Sequence, residues 1–175
     1  MKVKEAILKR RSIRKYKNNE ISKEIIDELV ELLRLSPSAK NSQTWRFKFI
    51  TDDKTKKLLK ENKVFKQDFV CTAPLIVVCC ADVESYPSFI GNSEYSNVSP
   101  RERTITDLAI ASQSLVLRAT ELGLGTCYVG LLNEEKLKDL LDIPKNYILH
   151  YVITIGYSDE EGVKTSRKNI EEILI

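Results

Sequence analysis

Three arginines and a serine within five residues, Arg10-Arg11-Ser12-Ile13-Arg14, are the sharpest chemical feature of this 175-residue chain. Positions 10 and 14 fall on one side of the backbone whether it is helical or extended. Two guanidiniums with a hydroxyl between them offer charge and forked hydrogen bonds together, which matches a phosphate dianion. A solvated basic face is the competing reading. A weaker basic set, Lys164, Arg167 and Lys168, lies near the C-terminus.

Other candidate groups are uncharged. Asn41 and Gln43 each carry a donor and an acceptor, suited to hydroxyls and to carbonyl or imide edges, or simply to a loop surface. Gly123-Leu-Gly125-Thr-Cys-Tyr-Val-Gly130 is rich in glycine, but its glycines follow a helical pattern and enter a strand. A dinucleotide fingerprint needs the reverse order, and no Gly-Lys-Ser/Thr of a phosphate loop exists. The glycines are a helix stop and turn, or a place where backbone lies close to a ligand. The single histidine, His150, falls in an apolar run and reads as a core or interface residue. No spacing supports a Ser–His–Asp or Cys–His hydrolase, so an enzyme built on this chain needs a cofactor to carry its chemistry. Cys71, Cys79, Cys80 and Cys127 lack metal-ligand spacing and read as buried reduced thiols.

The elements that must position these groups follow from periodicity. Residues 2–10 form a short amphipathic helix. A second helix spans 22–36, capped by Ser22 and stopped before Pro37. A polar loop, 38–44, leads to a strand in which Trp45, Phe47 and Phe49 alternate with Arg46 and Lys48. Asp52 or Asp53 caps a helix reaching about Asn62. Pro74 opens a strand at 75–81 that is apolar on both faces and therefore central. Residues 82–103, with two prolines, a glycine and five serines, read as a lid or binding loop. A helix at 104–122 places Leu108, Ala111, Leu115 and Ala119 on one face, with Gly123 as its C-terminal glycine. A strand at 126–129, a helix at 133–141 and a strand at 148–155 follow, then a C-terminal segment at 169–175. The interleaving predicts an α/β fold of the mixed α+β kind, as one domain over residues 1–175.

Composition and charge narrow the function. The 42% apolar and 30% charged fractions exclude disordered and low-complexity classes. The longest apolar run, 73–81, is too short to span a bilayer, and the basic start lacks an apolar signal core, so a cytoplasmic protein without membrane contact is expected. Residues 1–17 carry eight cations against Glu5, a net +7, so the other 158 residues carry −4 within the total of +3. A basic arm on an acidic body suits a phosphate clamp or a nucleic-acid contact. Missing aromatic–basic interleaving disfavours nucleic acid.

Taken in order, several segments form one pattern. They are the arginine cluster, Pro37-Ser-Ala-Lys-Asn-Ser-Gln-Thr-Trp45, Ala73-Pro74 before the apolar strand, and Leu122-Gly-Leu-Gly-Thr-Cys-Tyr-Val-Gly130. Leu140-Leu-Asp-Ile-Pro144, Ile155-Gly-Tyr157 and Ser166-Arg167-Lys168 complete it. Across essentially its whole length the chain resembles the FMN-dependent nitroreductase family.

That resemblance implies a central mixed β-sheet flanked by helices, an intertwined homodimer, and FMN bound at the subunit interface. Arg10, Ser12 and Arg14 would hold the FMN phosphate, with Arg11 beside them and Arg167 joining from the same subunit. Ser38 and Asn41 match positions that cross from the partner, and Gln43 one that faces the flavin and its ribityl chain. Tyr128, Val129 and Gly130 match the stretch whose backbone approaches the hydride-accepting nitrogen. The apolar Ile170, Ile173, Leu174 and Ile175 would pack on the partner. The implied activity is an oxidoreductase taking hydride from NAD(P)H onto flavin and passing it to a nitroaromatic, quinone or similar small oxidant, with no catalytic side chain nominated. Reductive dehalogenation or other flavin chemistry, and a non-catalytic FMN-binding protein, are the alternatives. The chain departs from the family at Thr44 and Asn169, where proline is usual, which bears on loop rigidity. Phe65, Phe69, Tyr86, Phe89 and Tyr95 either line the substrate mouth or are ordinary packing aromatics.

Overall fold

The computed structural model describes residues 2–87 and 98–175. Past the first short helix, the α-helices start where a side chain satisfies an orphaned N–H group. Ser22 Oγ accepts the Ile25 N–H at the start of α2, Lys23–Arg34; α1, Val3–Lys9, precedes it. Asp52 caps α3, Asp53–Glu61, by accepting the Thr55 N–H at 2.7 Å. The long helix α4, Pro100–Glu121, begins four residues before the position expected from its apolar stripe. Ser99 and Glu102 cap it reciprocally, and Pro100 takes a first-turn place that needs no N–H. Asn133 caps α5, Glu134–Leu141.

Four strands form one sheet: β1 Trp45–Ile50, β2 Leu75–Ala81, β3 Leu124–Val129 and β4 Ile148–Tyr157, in the order β1-β2-β4-β3. All three pairings are antiparallel, and the parallel component comes from an isolated bridge, Ser12 to Thr126. β2 is buried at every position, as its two-sided apolar run predicts. Leu75, Val77, Cys79 and Ala81 pack with Leu29 and Leu33 of α2 and with Leu108, Ala111 and Leu115 of α4. Ile76, Val78 and Cys80 pack with Leu59 of α3 and with Leu137 and Leu141 of α5. The sheet is thus a middle layer, and among the described residues no helix is long and apolar enough to cross a membrane.

Two sequence expectations change. Cys79 pairs with Tyr151 and Cys80 with Leu149, so His150 is the extra residue of a β-bulge. Its side chain is exposed, and the core reading of His150 is corrected. Cys79, Cys80 and Cys127 are buried and free, whereas Cys71 is only partly covered. Burial pushes the Cys80 thiol up to about 12 and raises Cys79 as well. Residues 88–97 of the expected lid lie outside the described residues, and with them Phe89 and Tyr95.

Residues 12–17 form an extra band across the end of the sheet. The Ile13 N–H donates to Thr126 O at 2.9 Å, Lys17 N–H to Tyr157 O at 2.8 Å, and Asp159 N–H to Lys15 O at 3.0 Å. Glycines in the sheet leave room for it. A Cβ at Gly125 would stand 2.7 Å from Ile13 Cγ1, and one at Gly156 would stand 2.8 Å from the Tyr16 ring. Gly125→Ala should therefore destabilise the protein by about 1–3 kcal/mol in urea denaturation. Adding Ile13→Ala, which clears two of the three crowding atoms, should make the double variant less unstable than the sum of the singles.

Candidate functional site

The band delivers the arginine cluster to one place. A cleft of about 370 Å³ is lined by Arg10, Arg11, Ser12 and Arg14 from the N-terminal segment and by Lys164 and Arg167 from the chain after β4. The two basic sets, 150 residues apart in sequence, thus meet, with Ile7, Leu8 and Val163 as apolar lining. Arg11 Nη1 donates to Leu8 O at 2.7 Å and Arg10 O at 2.8 Å, so it also caps the end of α1. Arg167 Nη1 donates to Thr165 Oγ1 at 2.6 Å and to Ser166 O at 3.0 Å.

No arginine of this cleft pairs with a carboxylate among the described residues. Elsewhere Arg34 pairs with Glu31, Arg46 with Asp82, and Arg118 with both Glu28 and Glu121. Guanidiniums that line one cleft without a carboxylate partner among the described residues have the charge and donors that could hold a polyanion. One carboxylate does come close. Glu160 Oε1 accepts the Arg14 backbone N–H at 2.5 Å, and Glu160 shares a smaller cleft of about 160 Å³ with Arg10 and Arg11. Beneath the cluster, Tyr16 donates its hydroxyl to Ile13 O at 2.6 Å, and burial raises its pKa. Burial likewise raises Cys127, against the opposing pull of Arg14 and Arg10.

β3 runs away from this cleft. It is an edge strand, and its Thr126 carbonyl faces outward to accept the Ile13 N–H. By the alternation of an antiparallel ladder, the main-chain groups of Tyr128 face the same edge; Gly130 follows the last strand residue, Val129, and its carbonyl accepts the Leu132 N–H at 3.1 Å. Four residues at about 3.4 Å each put Gly130 roughly 14 Å from Thr126. The Val129 side chain is buried, so only its backbone is available. The half-exposed Tyr128 ring stands edge-on to Tyr151, with centroids 5.3 Å apart, and burial raises both phenols. Gly130 borders a shallow cavity of about 400 Å³ that Lys63 and Lys66 also line.

Ser38, Asn41 and Gln43 do not line the arginine cleft. They form a separate compact loop, in which Ser38 Oγ accepts the Gln43 N–H at 3.0 Å and Gln43 Nε2 donates to Asn41 Oδ1 at 3.0 Å. Lys40, Asn41 and Gln43 have φ of 53°, 55° and 46°, in the left-handed region. Each costs about 1–2 kcal/mol relative to right-handed backbone, less for asparagine. The buried Asp107 of α4 holds this loop. Its carboxylate accepts the Ala39 N–H at 3.2 Å and the Ser42 hydroxyl at 3.2 Å.

Sequence reasoning missed Asp107, Glu160, Lys63 and Lys66. Asp107 had a legible signal, a lone acid beside Leu108 on the apolar stripe of α4. Glu160 sits in a run of three acids and is not separable from its neighbours by type. Of the candidate mouth aromatics, Phe65 is buried and Phe69 partly buried in the core under α3 and α5, the packing role. Tyr86 is buried too, and its hydroxyl has no partner among the described residues.

Comparison with known proteins agrees with this geometry. The family model described as the nitroreductase family matches residues 7–63 and 54–157. A protein of Archaeoglobus fulgidus, whose name proposes NADH dehydrogenase or NAD(P)H nitroreductase activity, is 32% identical over 89% of this chain and 84% of its own. An FMN-dependent nitroreductase of Clostridium difficile is 30% identical, covers 95% of this chain and 92% of its own, and superposes with a TM-score of 0.71. A protein of Exiguobacterium sibiricum crystallised with FMN superposes with a TM-score of 0.88 over 100% of this chain and 97% of its own, at 23% identity. A family model that spans most of the chain and a relative at 32% identity over 89% of it establish that the chain belongs to the nitroreductase family.

Proposed function

We propose that this protein is an FMN-dependent oxidoreductase that takes hydride from NAD(P)H and reduces a nitroaromatic, a quinone or a similar small oxidant, working as a homodimer. One observation carries the reading. Unpaired arginines from both ends of the chain gather at one end of an edge strand whose other end is an exposed glycine. FMN fits that arrangement: a dianion for the arginines, a flexible polyhydroxyl chain for the strand edge, and a flat ring for the open end. When bound, it supplies a ring that accepts two electrons as hydride and releases them to an oxidant.

The chain's own contribution is binding, orientation and electrostatics. Arg10, Arg14 and Arg167 would neutralise the phosphate, with the Ser12 hydroxyl as a further donor and Arg11 divided between this cleft and the end of α1. The outward main-chain N–H of Tyr128, with that of Gly130 just past the strand, would orient the ring edge. Gly130 has no side chain to intrude, and a Cβ there would still lie 3.8 Å from its nearest neighbour, His150 O. Lys63 and Lys66, beside Gly130, would favour negative charge arriving with the electrons.

The homodimer explains the remaining parts. The Ser38, Asn41 and Gln43 loop lies off its own chain's cleft and would reach the partner's. Val3, Ile7 and Leu8 of α1 and Ile170, Ile173 and Leu174 of the tail are exposed apolar side chains that a second copy would cover.

Purified protein should be yellow, release FMN on denaturation, and bleach anaerobically with NADH or NADPH. Colourless protein that takes up no added FMN would overturn the reading. Replacing Arg10 and Arg14 together by alanine should weaken FMN by at least about 100-fold, as two charge-assisted contacts are lost, and leave riboflavin binding nearly unchanged. Glu160→Gln keeps an acceptor for the Arg14 N–H and deletes a negative charge beside the clamp. Its FMN affinity should rise a few-fold at low salt, with the gain fading as salt screens it.

A further inference from the structure

We propose that Asp107 is a positioning residue for the flavin: it sets the backbone of the 38–43 loop so that the Asn41 and Gln43 amides are presented before the ligand arrives. The inference rests on the flavin reading above and adds to it a residue that lies in the core. Asp107 is the one buried acid among the described residues, 4% exposed. The buried cation Lys138 pairs with Glu134, whereas Asp107 has no cation beside it among the described residues. A carboxylate taken out of water is costly unless donors surround it, and among the described residues its hydrogen-bond donors all belong to the loop. Ala39 N–H lies 3.2 Å from both carboxylate oxygens, and Ser42 Oγ lies 3.2 Å from one of them. Between and just beyond these two anchors stand the left-handed residues Lys40, Asn41 and Gln43. A loop that only bridged α2 and β1 would need neither the strained backbone nor a buried acid beneath it. This loop keeps both, and the side chains it presents are amides at the surface.

Asp107→Asn and the milder Ser42→Ala test this against the wild type. Dissociation constants for FMN and for riboflavin are read by flavin fluorescence, with the visible spectrum of the bound flavin and near-ultraviolet circular dichroism alongside. A wild-type protein that binds neither flavin ends the flavin reading, and this inference with it, before any variant is compared. With binding established, Asp107→Asn should weaken both flavins by about tenfold, the loss expected for a hydrogen bond to a charged group. The ratio between the two flavins should stay constant, since the loop acts on the ring and ribityl chain, and the bound-flavin band should shift. Ser42→Ala should move both constants a few-fold in the same direction, and it decides the matter if Asp107→Asn does not fold. Wild-type affinities and spectrum with only a lowered melting temperature would make Asp107 merely structural. Weakening of FMN alone would assign it to the phosphate instead, and either outcome overturns the proposal.

Discussion

Holding a cationic leader together without neutralising it is the constraint on which the site depends. Two guanidiniums about 7 Å apart repel by about 0.6 kcal/mol in water, and by several times that near a protein surface. Carboxylate partners would relieve the repulsion and consume the donors that an anion needs. The chain uses the backbone for the task. Main-chain hydrogen bonds from Ile13, Lys17 and Asp159, and the Tyr16 hydroxyl on Ile13 O, fasten residues 13–17 and leave the guanidiniums without carboxylate partners among the described residues. The acidic residues that do approach act in the same way: Glu160 takes a backbone N–H, and Asp159 pairs with Lys15, outside the cleft lining.

This fastening requires a sheet whose surface can be approached closely. Gly125 and Gly156 stand opposite one another in the β3–β4 pair, and each leaves a gap that a band side chain fills, Ile13 at one and Tyr16 at the other. A third glycine, Gly162, has φ +71°, and a Cβ there would meet Arg11 Cβ at 2.7 Å. The return of the chain after β4 can therefore close over Arg11 and bring Lys164 and Arg167 round to the first cluster. The glycine-rich stretch thus performs two tasks. Its middle receives the chain's own N-terminal segment, and its end, Gly130, is exposed and in the proposed function faces the ligand.

Local patterns made most elements legible. Ser22, Asp52 and Asn133 were readable as caps because each is followed by its helix's apolar period. β2 was readable as central because no position along it is polar. The start of α4 was hidden because the Ser99-Pro-Arg-Glu102 signal lies before the apolar stripe begins, within a segment whose prolines and serines read as loop. β3 and β4 each run two residues past expectation, because glycines that look like stops are instead pairing positions, Gly125 with Gly156. The arginine cluster, by its spacing, suited a phosphate clamp and a solvated basic face alike. Its meeting with Arg167 required the fold, since nothing local relates residues so far apart. The bulge at His150 depends on a register slip between partners, which no single strand encodes.

The two parts of the site follow different physics. In the proposed site the arginine cleft would work through charge, tolerating some motion and weakening with salt, because long flexible side chains carry it. The 38–43 loop would work through shape, since amide recognition depends on direction and a strained backbone keeps direction only when its surroundings over-determine it. Within one chain these parts do not meet. In the proposed dimer a flavin would bridge the cleft of one copy and the loop of the other, so ligand binding and subunit association become one linked equilibrium. Removing the charge contacts would then loosen the dimer only when flavin is present. Removing the loop contacts would loosen the flavin while the arginines still draw the phosphate in.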